Sequence, residues 1–287
     1  MKIAIVDVGG GLKGVYSAGI LDRFLEEGID FELGIGVSAG SANLASFLAR
    51  QKKRNYVFYT EYSFRRKYMS LSNFVFRGSV VDLDYVYGTL SNSGGEYPLD
   101  YETFKNNPMD FVVVATNALT GEAKYFPKES MRQDDFDVCK ASSCIPYYFR
   151  PYVIDGVPYY DGAVSDPVPI EKAIELGADK IVLILSRPIE NKRTSEGDEK
   201  LARKVRKKYP KAAENFVLRA KRYNDAIDKA KKLQEEGKAC ILSPKTTYGI
   251  STLSRKKESL EKLYSLGYED AKKAIEFVKK ARSTEER

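Results

Sequence analysis

A serine stands in the run Gly36-Val37-Ser38-Ala39-Gly40, between a short apolar segment and a stretch of small side chains, and this arrangement restricts the backbone more than any other part of the chain. The spacing is that of a nucleophile elbow. Such a strained strand-to-helix turn admits only small neighbours and lifts the hydroxyl above the sheet at a helix N-terminus. Residues 31 to 35 read as a buried strand and residues 41 to 50 as a helix, which puts Ser38 on the turn between them. The plainer alternative is an ordinary strand-to-helix turn in which Ser38 caps the helix. A second fact narrows the chemistry: the 287 residues include no histidine. A Ser-His-Asp triad is excluded, so a nucleophilic Ser38 must hand its proton to something other than imidazole.

Ahead of the elbow, residues 2 to 7 read as a strand leading into the loop Gly9-Gly10-Gly11-Leu12-Lys13-Gly14, and residues 15 to 27 as a helix. The loop departs from the dinucleotide spacing and has no GK[ST] ending, so it departs from both common phosphate loops. The other reading is that successive glycines leave backbone N–H groups free to converge on an oxyanion, as acyl transfer requires. In a parallel sheet the loops that follow the first two strands are neighbours, which would set Gly9, Gly10 and Gly11 beside Ser38.

The continuous apolar runs at 111 to 116 and 181 to 185 have the character of buried parallel strands, and a helix over 170 to 177 precedes the second. This alternation predicts an α/β fold with a mostly parallel sheet covered on both faces. Residues 56 to 104 are rich in aromatics, from Tyr56 and Phe58 to Tyr85 and Tyr87, and form either a cap lining an apolar pocket or ordinary core. Beyond Arg187 the composition turns polar and helical, with a short strand at 239 to 242 and a final helix from about 256 to 281. Two regions are therefore expected: an α/β domain over 1–187 and a basic helical region over 188–287 packed on it.

The net charge of +7 is concentrated between Lys192 and Lys238, where 16 basic and 8 acidic residues stand. Within it Ala213, Phe216, Val217, Ala220, Tyr223, Ile227, Ala230 and Leu233 follow helical spacing, with Lys and Arg on the other face. Such a helix either approaches an anionic membrane surface or packs its apolar stripe on the main domain and turns a solvated basic face outward. No nucleic-acid signature accompanies the charge, so a nucleic-acid partner is not expected. Cys139, Cys144 and Cys240 form no CxxC pair, which favours a reducing, cytoplasmic setting over a disulfide framework. No apolar stretch reaches membrane-spanning length, and residues 1 to 7 are too short an apolar run for a signal peptide. Without histidine or a thiolate cluster, no metal site is expected; Asp134-Asp135-Phe136-Asp137 reads as a solvated acidic turn.

A base is still required. Asp161, in Tyr159-Tyr160-Asp161-Gly162-Ala163, lies at a tight turn between regular elements. A carboxylate is a poor base in water, but desolvation raises its pKa and direct contact with the hydroxyl gives it reach. Taken alone, an Asp-Gly pair is only a turn.

Together the glycine loop at 9 to 14, Gly36-Val37-Ser38-Ala39-Gly40-Ser41, Ala141-Ser142-Ser143-Cys144-Ile145-Pro146 and Asp161-Gly162-Ala163 resemble the patatin-like phospholipases, close to the small bacterial acyl hydrolases of that family. The four blocks occur in family order, and the resemblance covers roughly residues 1 to 186. It implies a three-layer α/β/α fold and a carboxylic ester hydrolase, of lipase or phospholipase A type, that works on lipid acyl esters through a Ser-Asp dyad without metal or organic cofactor. Carried onto this chain, Ser38 is the nucleophile, Asp161 the base, Gly9, Gly10 and Gly11 the oxyanion loop, and Lys13 its basic position. Cys144 replaces the usual small residue of its block, a change expected to affect packing. The alternative is a non-catalytic lipid-binding or regulatory protein on the same scaffold.

Overall fold

The computed structural model describes residues 1–253 and 255–285. Its strands are β1 (Ile3–Asp7), β2 (Leu33–Val37), β3 (Asp110–Asn117), β4 (Ala123–Pro127), β5 (Tyr152–Ile154), β6 (Val157–Asp161), β7 (Lys180–Ile184) and β8 (Ala239–Leu242). Helices α1 (Val15–Glu26), α2 (Ala39–Leu48), α3 (Arg54–Thr60), α4 (Leu71–Arg77) and α5 (Tyr101–Asn106) precede β3. Then come α6 (Asp137–Ser142), α7 (Ile170–Glu175), α8 (Glu196–Val205), α9 (Pro210–Glu235) and α10 (Lys257–Glu285).

Among the described residues the strands form one eight-stranded sheet, in which β2, β1, β7 and β8 follow β3 with every pairing parallel. The β-period of two sends alternate side chains of β1 to opposite faces, Ile3 and Ile5 into one core and Ala4 and Val6 into another. The first face is covered by α1, α2 and α10, the second by α7 and α9, so the architecture is the expected three-layer α/β/α sandwich with a helical C-terminal region. Three strands break the parallel order. β4 pairs antiparallel with residues 112 to 116 of β3, and β6 pairs antiparallel with residues 115 to 117. Because β4 shares residues of β3 with both β2 and β6, the latter two lie on the same edge of β3. β2 ends with Val37 opposite Val114, and β6 arrives from the other direction to end with Asp161 opposite Ala115.

The elbow strand begins two residues later than the sequence predicts, at Leu33, and the helix two residues earlier, at Ala39. Phe31 belongs to the lead-in, where its ring packs tilted between those of Phe24 and Phe47. The helix starts early because the whole turn is made at one residue: Ser38 has φ 57° and ψ −131°.

The amphipathic stretch of α9 lies against the domain, with Phe216, Ala220, Tyr223, Ile227 and Ala230 buried. One basic residue departs from the predicted outward face. Arg219 is buried and ion-paired with Asp198 of α8, because a carboxylate waits on the inner side to receive it. β8 lies beside β7, so the C-terminal region contributes a strand to the sheet as well as helices.

α10 is held to α1 by close backbone approach. A Cβ on Gly19 would stand 2.1 Å from the carbonyl oxygen of Tyr264, and one on Gly267 would stand 2.0 Å from that of Tyr16. Each tyrosine then donates across the crossing, Tyr264 to Asp22 and Tyr16 to Asp270, both at 2.7 Å. Alanine is the better helix former by about 1 kcal/mol, but the obstructing atoms are backbone and cannot swing aside. Gly267→Ala is therefore expected to destabilise the protein by about 1–3 kcal/mol, read as a lower midpoint in urea unfolding.

Candidate active site

Ser38 carries its strain where hydrogen bonds hold it. Its amide donates to Ser142 Oγ at 2.8 Å, and Ser142 Oγ in turn donates to the Val114 carbonyl at 2.6 Å, tying the elbow to α6 and β3. Ser41 binds the Ser38 carbonyl twice, through its amide at 3.0 Å and its hydroxyl at 2.6 Å. A left-handed backbone at a non-glycine residue costs roughly 1–3 kcal/mol, and these contacts offset it. The helix-cap reading of Ser38 does not hold: the hydroxyl makes no cap bond to α2. It lies instead on the same cleft wall as the Asp161 carboxylate, whose charged form it favours.

Asp161 is 2% exposed and Ser38 7%. The Asp161 amide donates to the Cys144 carbonyl at 2.8 Å, Thr116 Oγ1 donates to the Asp161 carbonyl at 2.9 Å, and the Ala163 amide donates to Oδ1 at 2.8 Å. The segment from Ala141 to Pro146 thus holds both residues, Ser38 through Ser142 and Asp161 through Cys144. The Cys144 thiol is buried and its pKa pushed up by that burial, in keeping with a packing role. Burial raises the pKa of Asp161 from its ordinary carboxylate value, while the Ser38 hydroxyl, the Ala163 amide and the charges of Arg219 and Arg193 pull it back.

The glycine loop lies directly on the elbow. A Cβ on Gly9 would come within 2.3 Å of the Val37 carbonyl and 2.9 Å of the Ala39 amide, and one on Gly40 within 2.2 Å of the Asp7 carbonyl. Asp7, the last residue of β1, organises this contact. It accepts from the Gly9 amide at 2.9 Å, Ser17 Oγ at 3.1 Å and Asn43 Nδ2 at 3.1 Å. Its burial lifts its pKa to about 6 against those three bonds. The Gly9 amide is therefore engaged by the Asp7 carboxylate. Among the described residues the amides of Gly10 and Gly11 find no acceptor, while that of Leu12 bonds the Thr252 carbonyl at 3.1 Å. Ala39, first residue of α2, presents its amide as an unpaired helix terminus.

Two clefts meet at Ser38. The first is apolar, with a cavity volume of about 110 Å³ that opens to solvent, and is lined by Leu12, Phe58, Tyr59, Met69, Val86 and Phe149 among others. The aromatic stretch at 56 to 104 accordingly serves as both core and cleft wall. Arg54 stands in this wall without a carboxylate partner among the described residues. It bonds Ser46, Ser91 and the Tyr97 carbonyl and lies over the Phe58 ring, and burial pushes its pKa down to about 10. The second cleft is polar, lined by Ser38, Asp161, Lys13, Arg187, Arg193 and Arg219 among others.

Asp7, Ser142, Arg54 and the arginines of the second cleft were not singled out as site residues from the sequence. Asp7 had a visible signal, a charge ending an apolar strand just before the glycines. The arginines had none, since no periodicity links 187, 193 and 219. In the acidic run, Asp134 accepts from the amide and hydroxyl of Ser93, and Asp137 from Tyr152. The described residues contain no group of carboxylates or thiols able to hold a metal ion. All three cysteines are free and buried, and no described helix is long and apolar enough to cross a membrane.

This is an α/β sandwich of the serine-elbow class, with a carboxylate from an antiparallel strand set against the serine. The chain belongs to the patatin-like phospholipase family, whose sequence pattern matches residues 8–174. A second pattern, a domain of unknown function, matches residues 209–281. The uncharacterized protein YjjU of Escherichia coli strain K12 is 31% identical over 192 residues, 65% of this chain and 52% of that protein. The chain thus spans about half the length of this curated relative. The crystal structure of VipD from Legionella pneumophila aligns over 97% of this chain and 67% of its own, with a TM-score of 0.49 and 15% identity.

Asp7→Ala strands three buried donors and is expected to cost about 2–4 kcal/mol in denaturant unfolding. The linkage of Asp7 has a definite sign. With its folded pKa raised to about 6, the native state holds a proton between about pH 4 and 6 that the unfolded chain has released. This group therefore adds stability as pH falls through that window, and Asp7→Asn should remove its share of the slope.

Proposed function

We propose that the protein is a serine acyl hydrolase that cleaves acyl esters of lipids, with Ser38 as nucleophile and Asp161 as base. The observation that carries this reading is the placement of the Ser38 hydroxyl and the buried Asp161 carboxylate together on the wall of one cleft, where the hydroxyl favours the charged form of the carboxylate. Family membership supports it.

Asp161 takes the Ser38 proton as Oγ attacks the ester carbonyl, and the amides of Gly10, Gly11 and Ala39 receive the oxyanion. Collapse of the tetrahedral intermediate expels the alcohol, which leaves with the proton held by Asp161. Water, deprotonated by the same carboxylate, then attacks the acyl-enzyme, and as the bond from the acyl carbon to Ser38 Oγ breaks the proton passes from Asp161 back to Oγ and the fatty acid is released. Removing one oxyanion donor typically costs about 2.7–4 kcal/mol of transition-state stabilisation, so these amides supply much of what a weak base lacks. The acyl chain occupies the apolar cleft.

Ser38→Ala and Asp161→Asn should each abolish turnover of a p-nitrophenyl acyl ester. A fluorophosphonate probe should label Ser38 in the unaltered protein; failure to label would favour the non-catalytic lipid-binding alternative. Because ionised Asp161 is disfavoured by burial, Asp161→Asn should leave thermal stability at neutral pH unchanged or raised, which separates loss of chemistry from loss of fold.

The pH dependence follows from the same carboxylate. Only its ionised form is a base and burial raises its pKa, so the rate should fall with decreasing pH along a one-proton limb centred above the model-peptide value of about 4. A limb at or below that value would contradict the assignment.

A further inference from the structure

We propose that the polar cleft beside Ser38 is a receptor for the phosphate of an anionic acyl ester, formed by Lys13 and Arg187 together with the Arg193–Arg219 pair. The inference rests on the reading of Ser38 as nucleophile and adds to it the class of alcohol that leaves.

Four cationic side chains line this cleft with the two residues of the dyad. Asp198 is shared by two of them, meeting Arg219 Nε at 2.9 Å and the Arg193 guanidinium at 3.4 Å. One carboxylate therefore serves two guanidinium groups. Among the described residues Lys13 and Arg187 have no carboxylate partner at all. The Arg187 guanidinium lies 5.8 Å from the centre of the Tyr223 ring, and its buried Nε has no hydrogen-bond acceptor. The repulsion is felt: burial and then the charges of Arg187, Arg193 and Arg219 push the Lys13 ammonium down to about 8.

The outer face of α9 behaves differently. There Lys211 pairs with Glu214 at 3.0 Å, Lys221 with Asp225 at 2.5 Å, and Lys229 with Glu171. These three cations each have a carboxylate neighbour, which Lys13 and Arg187 beside the nucleophile lack among the described residues. A desolvated excess of cations is costly without a counter-charge, and guanidinium groups are suited to phosphate oxygens.

The position of the pocket identifies which part of the substrate bears the anion. Ser38 lies where the two clefts meet, and the apolar one takes the acyl chain. The cationic one consequently receives the alcohol side of the ester, which in a glycerophospholipid carries phosphate a few bonds from the scissile carbonyl. A headgroup that cancels the phosphate charge with its own ammonium would set that ammonium among four cations. The preferred substrate is accordingly net-anionic.

The test uses the full-length Ser38→Ala protein, titrated with lysophosphatidylglycerol and lysophosphatidylcholine of equal chain length below their micelle concentrations. The anionic lipid should bind about tenfold more tightly or better, and Arg187→Gln in the same background should bring the two within about threefold, while Arg187→Lys keeps most of the preference. Inorganic phosphate, titrated alone, should bind far more weakly than the anionic lipid. Equal affinities, or a preference that Arg187→Gln does not reduce, would overturn the proposal. So would phosphate binding as tightly as the lipid, which would make this a free-anion site. Hydrolysis of either lipid by Ser38→Ala would count against the nucleophile assignment, and the affinity ratio judges the pocket separately.

Discussion

Along one edge of β3 the hydrogen-bonding partner changes from β2 to β6 between Val114 and Ala115. Two strands far apart in the chain run toward each other and stop on successive rungs, one ending just before Ser38 and the other at Asp161. Ser38 and Asp161 need no long side chain to approach each other, because the backbone delivers both groups to the same level of the sheet. Gly162 reports how tight this junction is: a Cβ there would lie 2.2 Å from the Val114 carbonyl. Ser142 then bonds both the Val114 carbonyl and the Ser38 amide, so the same rung of β3 sets the height of the elbow. Moving either strand by one residue would flip its side chains to the other face and dissolve the pair.

The electrostatics follow from doing without imidazole. A carboxylate becomes a competent base only if water is kept from stabilising its charge, and one unit of pKa is worth about 1.36 kcal/mol. Asp161 has that burial, while the Ala163 amide and the Ser38 hydroxyl favour its charged form. Asp7 is a second buried carboxylate a short distance along the sheet, with a different task. It spends its acceptor capacity on Gly9, Ser17 and Asn43, and so holds the glycine loop against the elbow. One aspartate faces a hydroxyl that can be deprotonated; the other faces donors that only fix geometry.

The parallel strands, the elbow and the glycine loop were legible because each is a local signal: an apolar run, a fixed spacing of small residues, a cluster of glycines. What places Asp161 against Ser38 is the exchange of partners on β3, a non-local pairing that no window of sequence records, and here the family resemblance supplied what periodicity did not. The elbow boundaries were displaced by two residues because Ala39 and Gly40 look like turn formers, whereas the turn is confined to Ser38. Gly9 was read as an oxyanion donor since its amide is as free in sequence as those of Gly10 and Gly11. Only the position of the Asp7 carboxylate distinguishes it. The split of α9 into paired outer cations and a buried Arg219 was equally hidden, because helical spacing says which residues share a face and nothing about the Asp198 on α8 that draws one of them inward.

The C-terminal region belongs to the physical argument for the site as much as the elbow does. β8 extends the sheet beyond β7, α10 closes one face through the glycine crossing with α1, and α9 closes the other. The segment after β8 also reaches the site, for the Thr252 carbonyl binds the Leu12 amide and a Cβ on Gly11 would stand 2.4 Å from it. The glycine loop is therefore pressed between the elbow on one side and C-terminal backbone on the other. Its freedom is removed by packing, which glycine makes possible by approaching backbone closely on both sides. In the proposed reaction an oxyanion site built from such amides requires no reorganisation when charge develops, and this preorganisation lets a weak base suffice.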